Sequence, residues 1–533
     1  MKRCIALLTL LNLATPALAL NIRVGADAGC DTNSLATALA QAKANPGADT
    51  IRLAGNQAYT GQALFIDSDV VLRGGYANCD AATPSGRTSL VGTGNWAVIT
   101  TWSDTVTINV RLEGLDISGG GVGGDVGNFG GIDIGGRSFV KLADLRVHDN
   151  AGIFGGGISV NNTQSIVTIE HHVQVDHNRA SIGGGIGIFG GTLRVRPHEV
   201  VVHSNSASDG GGLFIDFGLV SVGSDPEETT YPVDGFLIRN NVASGDGGGI
   251  YVNGNQGKLL AEATVVRDNS AAREGGGIYA TNGGYAQFMR WTFSPGQHCT
   301  SNQECLRLSG NTAQRGGALA LTVGGTASLS HSLIRDNAAA TGPLLVMRGN
   351  ASQLRLLGSV IARNACTQAE CAPVLIDGGG GVRSNYTTFA GNISTMNGQP
   401  LVFAYGATGV QGAMVFYSSL LSGNERFTAF GNTSYTSAGD CTLKDAGVVE
   451  AGFTRSDIAP IRFAEAARNN YRLAADNAAI DFCNSGAQPT EDPDIEGIVR
   501  GLETPGAPND FGAFDLGAYE YESIFNGGME GPR

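Results

Sequence analysis

Asn150-Ala151 followed by Gly155-Gly156-Gly157-Ile158 opens a pattern that recurs down the chain. The next copies are Asn178-Arg179-Ala180 with Gly183-Gly184-Gly185-Ile186, and Asn205-Ser206-Ala207 with Gly210-Gly211-Gly212-Leu213. Asn241-Val242-Ala243 with Gly247-Gly248-Gly249-Ile250, and Asn269-Ser270-Ala271 with Gly275-Gly276-Gly277-Ile278, continue it. A weaker copy pairs Asn311-Thr312-Ala313 with Gly316-Gly317-Ala318-Leu319, and further Asn follow at Asn337, Asn364, Asn392 and Asn424. The spacing returns to about 27 residues and is longer only at some steps, so each unit reads as one coil of a stack.

Between the Gly runs lie short apolar alternations, such as Ile158-Ser159-Val160, Leu213-Phe214-Ile215 and Ile250-Tyr251-Val252. They are strand-like, and too short and too Gly-flanked for helix pairs. Such a coil has room for three strands of roughly 4–6 residues, each pairing in parallel with the coil above. The Gly runs suit corners that need positive φ or close backbone approach. The recurrent Asn suits a second corner, because Asn tolerates the left-handed region and its amide can bond the same amide one coil away. The expected fold is all-β, a single-stranded right-handed parallel β-helix with a short N-terminal capping helix.

The elements Gly-Gly-Gly-Ile, with Val266-Arg267-Asp268-Asn269 and Ile334-Arg335-Asp336-Asn337, resemble the two motifs of polymorphic outer-membrane-protein repeats. Those repeats occur in secreted bacterial β-helices of the pectin-lyase-like class. The resemblance covers about residues 130–340 in motif and most of the mature chain in fold. It implies the β-helix; it does not assign a function.

The chain has 533 residues, 80 of them Gly, and 15% charged. A Gly content this high without a collagen period fits a turn-dense solenoid, which is one elongated domain at any length. A net charge of −14 argues against nonspecific nucleic-acid binding, which needs a basic surface. Residues 1–19 read as a signal peptide, with Lys2-Arg3, the apolar Ile5–Leu13 and Ala17-Leu18-Ala19 in order. No later run reaches the length of a membrane-spanning helix. The expected location is therefore outside the cell or on the surface of a Gram-negative-type bacterium. Eight Cys remain after Cys4, and we expect sequential disulfides: Cys30–Cys79, Cys299–Cys305, Cys366–Cys371 and Cys441–Cys483.

Residues 20–100 read as the N-terminal cap and first coils, with Asn33 or Ser34 capping a helix over Leu35–Ala44 before Pro46-Gly47. Residues 101–440 read as the repeat body and 441–533 as C-terminal coils, cap and tail. In the last part Ala478-Ala479-Ile480-Asp481, Asp494-Ile495-Glu496-Gly497 and Asp515-Leu516-Gly517-Ala518-Tyr519-Glu520 resemble the closing segment of the same secreted group. Ile524 to Glu530 resembles a short terminal motif of some exported proteobacterial proteins.

The residue two before each repeat Asn forms a column: His148, Asp176, His203, Arg239, Arg267, Ser309 and Arg335. In register these stack about 4.8 Å apart. Arg239, Arg267 and Arg335, with His148 and His203, are the candidate contacts for an acidic glycan, since guanidinium matches carboxylate. The bland alternative is a solvated polar column. Asn150, Asn178, Asn205, Asn241, Asn269, Asn311 and Asn337 are read as a structural ladder.

An enzyme is the second reading, a polysaccharide lyase or glycoside hydrolase. A hydrolase needs two carboxylates about 5–9.5 Å apart, and a lyase needs an Arg or Lys base beside calcium-binding Asp. Asp144 with Arg146, or Asp149 with Asp176, are the pairs nearest to that pattern, while Asp133, Asp209 and Asp246 beside Gly runs read as turn residues. No cofactor is expected; calcium would enter only with the lyase. His171-His172 with His177 reads as surface strand and not as a metal site, for want of a ligating carboxylate at helical spacing. Gly123-Gly124-Asp125 lacks the spacing of Gly-rich calcium repeats. The Tyr and Trp residues show no stripe that would mark a sugar-stacking cleft. The expected function is adhesin-like binding of an extracellular glycan, host or matrix surface.

Overall fold

The computed structural model describes residues 18–121, 129–196, 198–223, 236–289, 306–366, 371–405, 412–431, 435–483, 493–507 and 511–521. Cys299–Cys305, the Gly123–Asp125 segment, the 524–530 motif and all but the last two residues of the expected signal peptide lie outside them.

The repeat period becomes a winding of four strand segments, one more than the three expected. One coil runs through Ile158–Val160, Ile166–His171, Gln174–Asp176 and Arg179–Ile182. The next runs through Ile186–Phe189, Thr192–Val195, Val200–His203 and Ser206–Ala207. We call these successive positions faces I, II, III and IV. Among the described residues, face I stacks into thirteen parallel strands and face IV into eight, while II and III join in a 28-stranded sheet. Face IV was missed because it follows the Asn in pieces as short as two residues, such as Val242–Ala243. No alternation can show at that length. The molecule is thus an all-β parallel β-helix.

The alternation in each strand sorts side chains in and out. Ile158, Val160, Val167, Ile169, Val175, Ile186 and Ile188 all point inward with no exposed area. With their counterparts they form one continuous core from Ile22 to Tyr435.

The corners explain the Gly and Asn. The first Gly of a run takes the positive φ, as at Gly155 (66°), and the second faces backbone. A Cβ on Gly156 would lie 2.4 Å from the carbonyl oxygen of Gly184 one coil on. At the corner between faces III and IV, the left-handed residue is not the Asn, as expected, but its predecessor. Asp149, His177, Ser204, Asn240, Asp268 and Asp336 all have φ between 51° and 56° there. That residue turns the chain and leaves the Asn side chain pointing inward.

At the N-terminus Ser34 caps α1 (Leu35–Ala44), its hydroxyl accepting from Thr37 N at 3.2 Å. Leu35, Ala38 and Ala42 are its buried residues, and the helix packs on strands Asn21–Val24 and Asp49–Ala54. Cys30–Cys79, Cys366–Cys371 and Cys441–Cys483 are disulfides. No helix among the described residues is long and apolar enough to cross a membrane.

The three C-terminal motifs come together. Leu516 N donates to Ala479 O at 3.0 Å, Ile495 N to Ala518 O at 3.0 Å, and Asp481 N to Asp515 Oδ1 at 2.8 Å. Together they lie along the flank of the last coils. Gly517 N donates to Ser418 O, Ala518 N to Thr388 Oγ1, and Pro493 O faces His331 Nε2 at 3.0 Å.

Candidate functional site

The Asn ladder is continuous. Asn178 N and Nδ2 both donate to Asn205 Oδ1, at 2.9 and 3.0 Å, and Nδ2 also donates to Val147 O at 2.9 Å. The same trio recurs at Asn150, Asn205, Asn241, Asn269, Asn311 and Asn337, and on through Asn364 to Asn392. Every rung is buried. A buried amide with all its partners fixes the register and offers nothing to a ligand.

The column two residues before the ladder is in register along face III: His148 pairs with Asp176, Asp176 with His203, His203 with Arg239, and Arg239 with Arg267. Arg267 pairs with Ser309, and Ser309 with Arg335. Its first half is internally neutralised. His148 lies between Asp116 (2.5 Å) and Asp149 (2.6 Å), and the hydrogen bond to Asp116, above all, holds its pKa up. Arg146 forks onto Asp176, Nε to Oδ1 at 3.1 Å and Nη2 to Oδ2 at 2.9 Å. Burial would raise the Asp176 pKa, but Arg146 and His177 outweigh it and hold it low. His203, its pKa lowered by burial, meets Gln174 Nε2 at 2.9 Å.

The second half is a strip of guanidinium groups. Arg239 and Arg267 are direct cross-strand neighbours. Arg307 follows on the neighbouring outward position, paired in register with Val265. Burial, then the charges of Arg335 and Arg267, push the Arg307 pKa down to about 10. Arg267 reaches Asp268 only at 3.4 Å and Arg239 reaches Asn240 at 3.5 Å. Arg335 is better matched, to Asp336 at 2.7 Å, and Arg363 forks onto the same carboxylate. These five arginines crowd one flank of a chain whose net charge is −14.

Of the enzyme candidates, Arg146 is paired with Asp176 and Asp149 with His148. Asp209 and Asp246 keep turn roles, accepting from Asp246 N (2.9 Å) and Glu274 N (3.0 Å) respectively. Asp133 is not a turn residue: it sits in face I strand Ile132–Ile134, nearly buried. Burial pushes its carboxyl up to about 7, and Asn161 Nδ2 donates to it at 2.6 Å. His171 and His172 meet Asp144 of the preceding coil, without His177.

A stripe of rings also exists where none was expected. Phe129, Phe154, Phe189, Phe214, Tyr251 and Tyr279 follow one another with centroids 4.8 to 6.3 Å apart. Most of its rings are Phe; Phe214, Tyr251 and Tyr279 share one register position, and Phe154 and Phe189 join from others. Phe189 leans over the vacant Gly187 position, which pairs with Phe214. Counting Tyr and Trp at a fixed spacing therefore misses it. The rings pack against one another, so the stripe reads as a second structural ladder.

Comparison of the chain with protein-family models, curated proteins and solved structures finds no match.

Proposed function

We propose that this protein is a secreted or surface-exposed β-helix of a Gram-negative-type bacterium, and that it holds an acidic extracellular glycan along face III without cleaving it. The support is the run Arg239, Arg267 and Arg307 on successive coils, where burial and then the charges of Arg335 and Arg267 hold the Arg307 pKa down to about 10. Like charges in contact are stabilised by an anion laid across them. An extended polyuronate carries such anions along its length, and successive coils offer a cation about every 4.8 Å. The test is retention of the mature chain on immobilised polyuronate across a salt series. Arg239→Ala with Arg267→Ala is expected to weaken retention at least about tenfold and flatten its salt dependence. Unchanged retention would sink the reading.

The second reading, a lyase or hydrolase of the pectin-lyase-like class, draws on Asp133, a carboxyl whose pKa near neutrality suits proton transfer. Incubation with polyuronates and neutral glycans, with and without calcium, separates the two. New reducing ends or ultraviolet-absorbing unsaturated products, lost in Asp133→Asn, would favour the enzyme.

A further inference from the structure

The corner between faces II and III is made by one left-handed residue per coil. Gly114 fills it in one coil, and Asp144, His172 and Glu199 in the next three, with φ of 51°, 50° and 53°. A left-handed backbone is strained for a residue with a Cβ, and strain at polar residues tends to gather at functional sites. The three corners bring ligating atoms together. Asp144 Oδ1 lies 3.0 Å from His172 Nδ1 and 3.6 Å from His171 Nδ1, and the two Nδ1 atoms are 3.3 Å apart.

We propose that Asp144, His171 and His172 bind one divalent first-row transition-metal ion through Asp144 Oδ1 and the two Nδ1 atoms. Nitrogen and oxygen ligands sit about 2.0–2.2 Å from such an ion. At tetrahedral or octahedral angles that radius places neighbouring ligand atoms roughly 3.0–3.6 Å from one another, the separations found here. His172 Nε2 faces Glu199 Oε2 at 3.4 Å, so an outer carboxylate stands ready to take the Nε2 proton once a metal occupies Nδ1. A cation between Asp144 Oδ1 and the two Nδ1 atoms would engage all three lone pairs at once. Two imidazoles and one carboxylate are a donor set for zinc, iron(II), cobalt or nickel and not for magnesium.

The scaffold under the site is rigid. Arg87 Nε donates to Asp144 O at 2.9 Å and Nη2 to His172 O at 3.3 Å, tying both corners to the 84–87 loop. Three protein ligands leave coordination positions open. All three side chains are roughly half exposed, and Asp144 and Arg87 also line a cleft of about 530 Å³ with Glu113 and Asp116. The site is independent of the arginine strip, which begins coils later.

The full mature chain, stripped with chelator, is titrated calorimetrically with Zn²⁺, and the Co²⁺-loaded protein is read by its visible spectrum. One equivalent per chain and a low-coordinate Co²⁺ spectrum are expected. Asp144→Asn keeps a residue that tolerates the left-handed corner, and His171→Ala lies in an ordinary strand. Each should lower affinity at least about tenfold while the metal-free circular dichroism stays that of the parent. His177→Ala should change nothing. The proposal is overturned if the parent chain binds none of Zn²⁺, Co²⁺, Ni²⁺ or Fe²⁺, or if the Asp144→Asn/His171→Ala double variant binds as the parent does.

Discussion

Along face III the outward positions change character between Arg335 and Val360. From Asp116 to Arg335 most are charged or polar, with the backbone in register throughout. From there Val360, Ala362, Ala390 and Leu420 take the same positions, and the C-terminal segment packs on them through Tyr471, Ile480, Ile495, Leu516 and Ala518. The inward residues do not change kind: Ile238, Val266 and Ile334 give way to Ile361, Phe389 and Leu421, all core. The inward alternation therefore specifies the coil, and the outward alternation decides what the coil meets. Where the outer residues are charged the C-terminal segment leaves the flank uncovered; where they are small and apolar the chain covers itself. The Asn ladder crosses that boundary: it runs on to Asn392, and only Asn424 turns its amide elsewhere, to Gln399 O.

The contrast breaks most sharply at the ladder. Asn205→Ala orphans Asn178 N, leaves Asn178 Nδ2 one partner short and takes one donor from Val175 O. At about 1–3 kcal/mol per buried group left short of a partner, it should destabilise the protein by about 3–6 kcal/mol in denaturant unfolding. Asn424→Ala, outside the ladder, should cost about 1 kcal/mol. Equal losses would mean that the stacked amides add nothing beyond their local bonds.

Next in size is undocking the C-terminal segment. Leu516 is fully buried against Leu420 and Leu443. Leu516→Ala should cost about 2–5 kcal/mol. The loss should appear as early proteolytic cutting within residues 460–521 while the β-sheet circular dichroism of the coils persists. Simultaneous loss of both would show that the segment and the coils unfold as one unit.

Smallest is a response to pH that has opposite signs in the two regions. Burial raises the pKa of Asp515 and Glu520 in the C-terminal segment. The folded state holds those protons more tightly than the unfolded, so their contribution is present below the ordinary carboxylate range and fades as pH rises through their folded values, toward and past neutrality. Asp176 and Asp336 on the open flank go the other way. Burial would raise both, but Arg146 and His177 at one, and Arg363 and Arg335 at the other, hold them low. Their contribution is present above the ordinary range and is lost on acidification. Hydrogen exchange should show the C-terminal segment better protected at pH 5 than at pH 8, and face III around Asp176 and Asp336 better protected at pH 5 than at about pH 3.

The coil period, the inward alternation and the register of the His148–Arg335 column were all readable, because a solenoid writes its neighbours at a constant interval. What was not readable had left that interval. The ring stripe mixes Phe154, Phe189 and Phe214 from three positions in the coil, and Phe189 lies over the room that Gly187 leaves. Asp144 was weighed with Arg146, two residues on, although its nearer partner is His172, one whole winding later. Helical spacing was the wrong ruler there. Asp133 was read from the Gly beside it and not from the alternation of Ile132 and Ile134 around it. The flanking position of the last segment had no local signal, since it depends on small side chains at Ala362 and Ala390 more than 100 residues earlier.

From Asn150 to Asn364 every side-chain amide hands one proton to the oxygen of the next Asn toward the C-terminal end, and the backbone N–H beside it does the same. The row has a polarity, like a file of compass needles, and one storey cannot be reversed without stranding two donors. A storey can, however, be removed or repeated whole, because each rung presents its neighbours with the same oxygen and the same two hydrogens. The reach of such a molecule is then a matter of how many storeys are stacked, free of the identity of the side chains it carries outside.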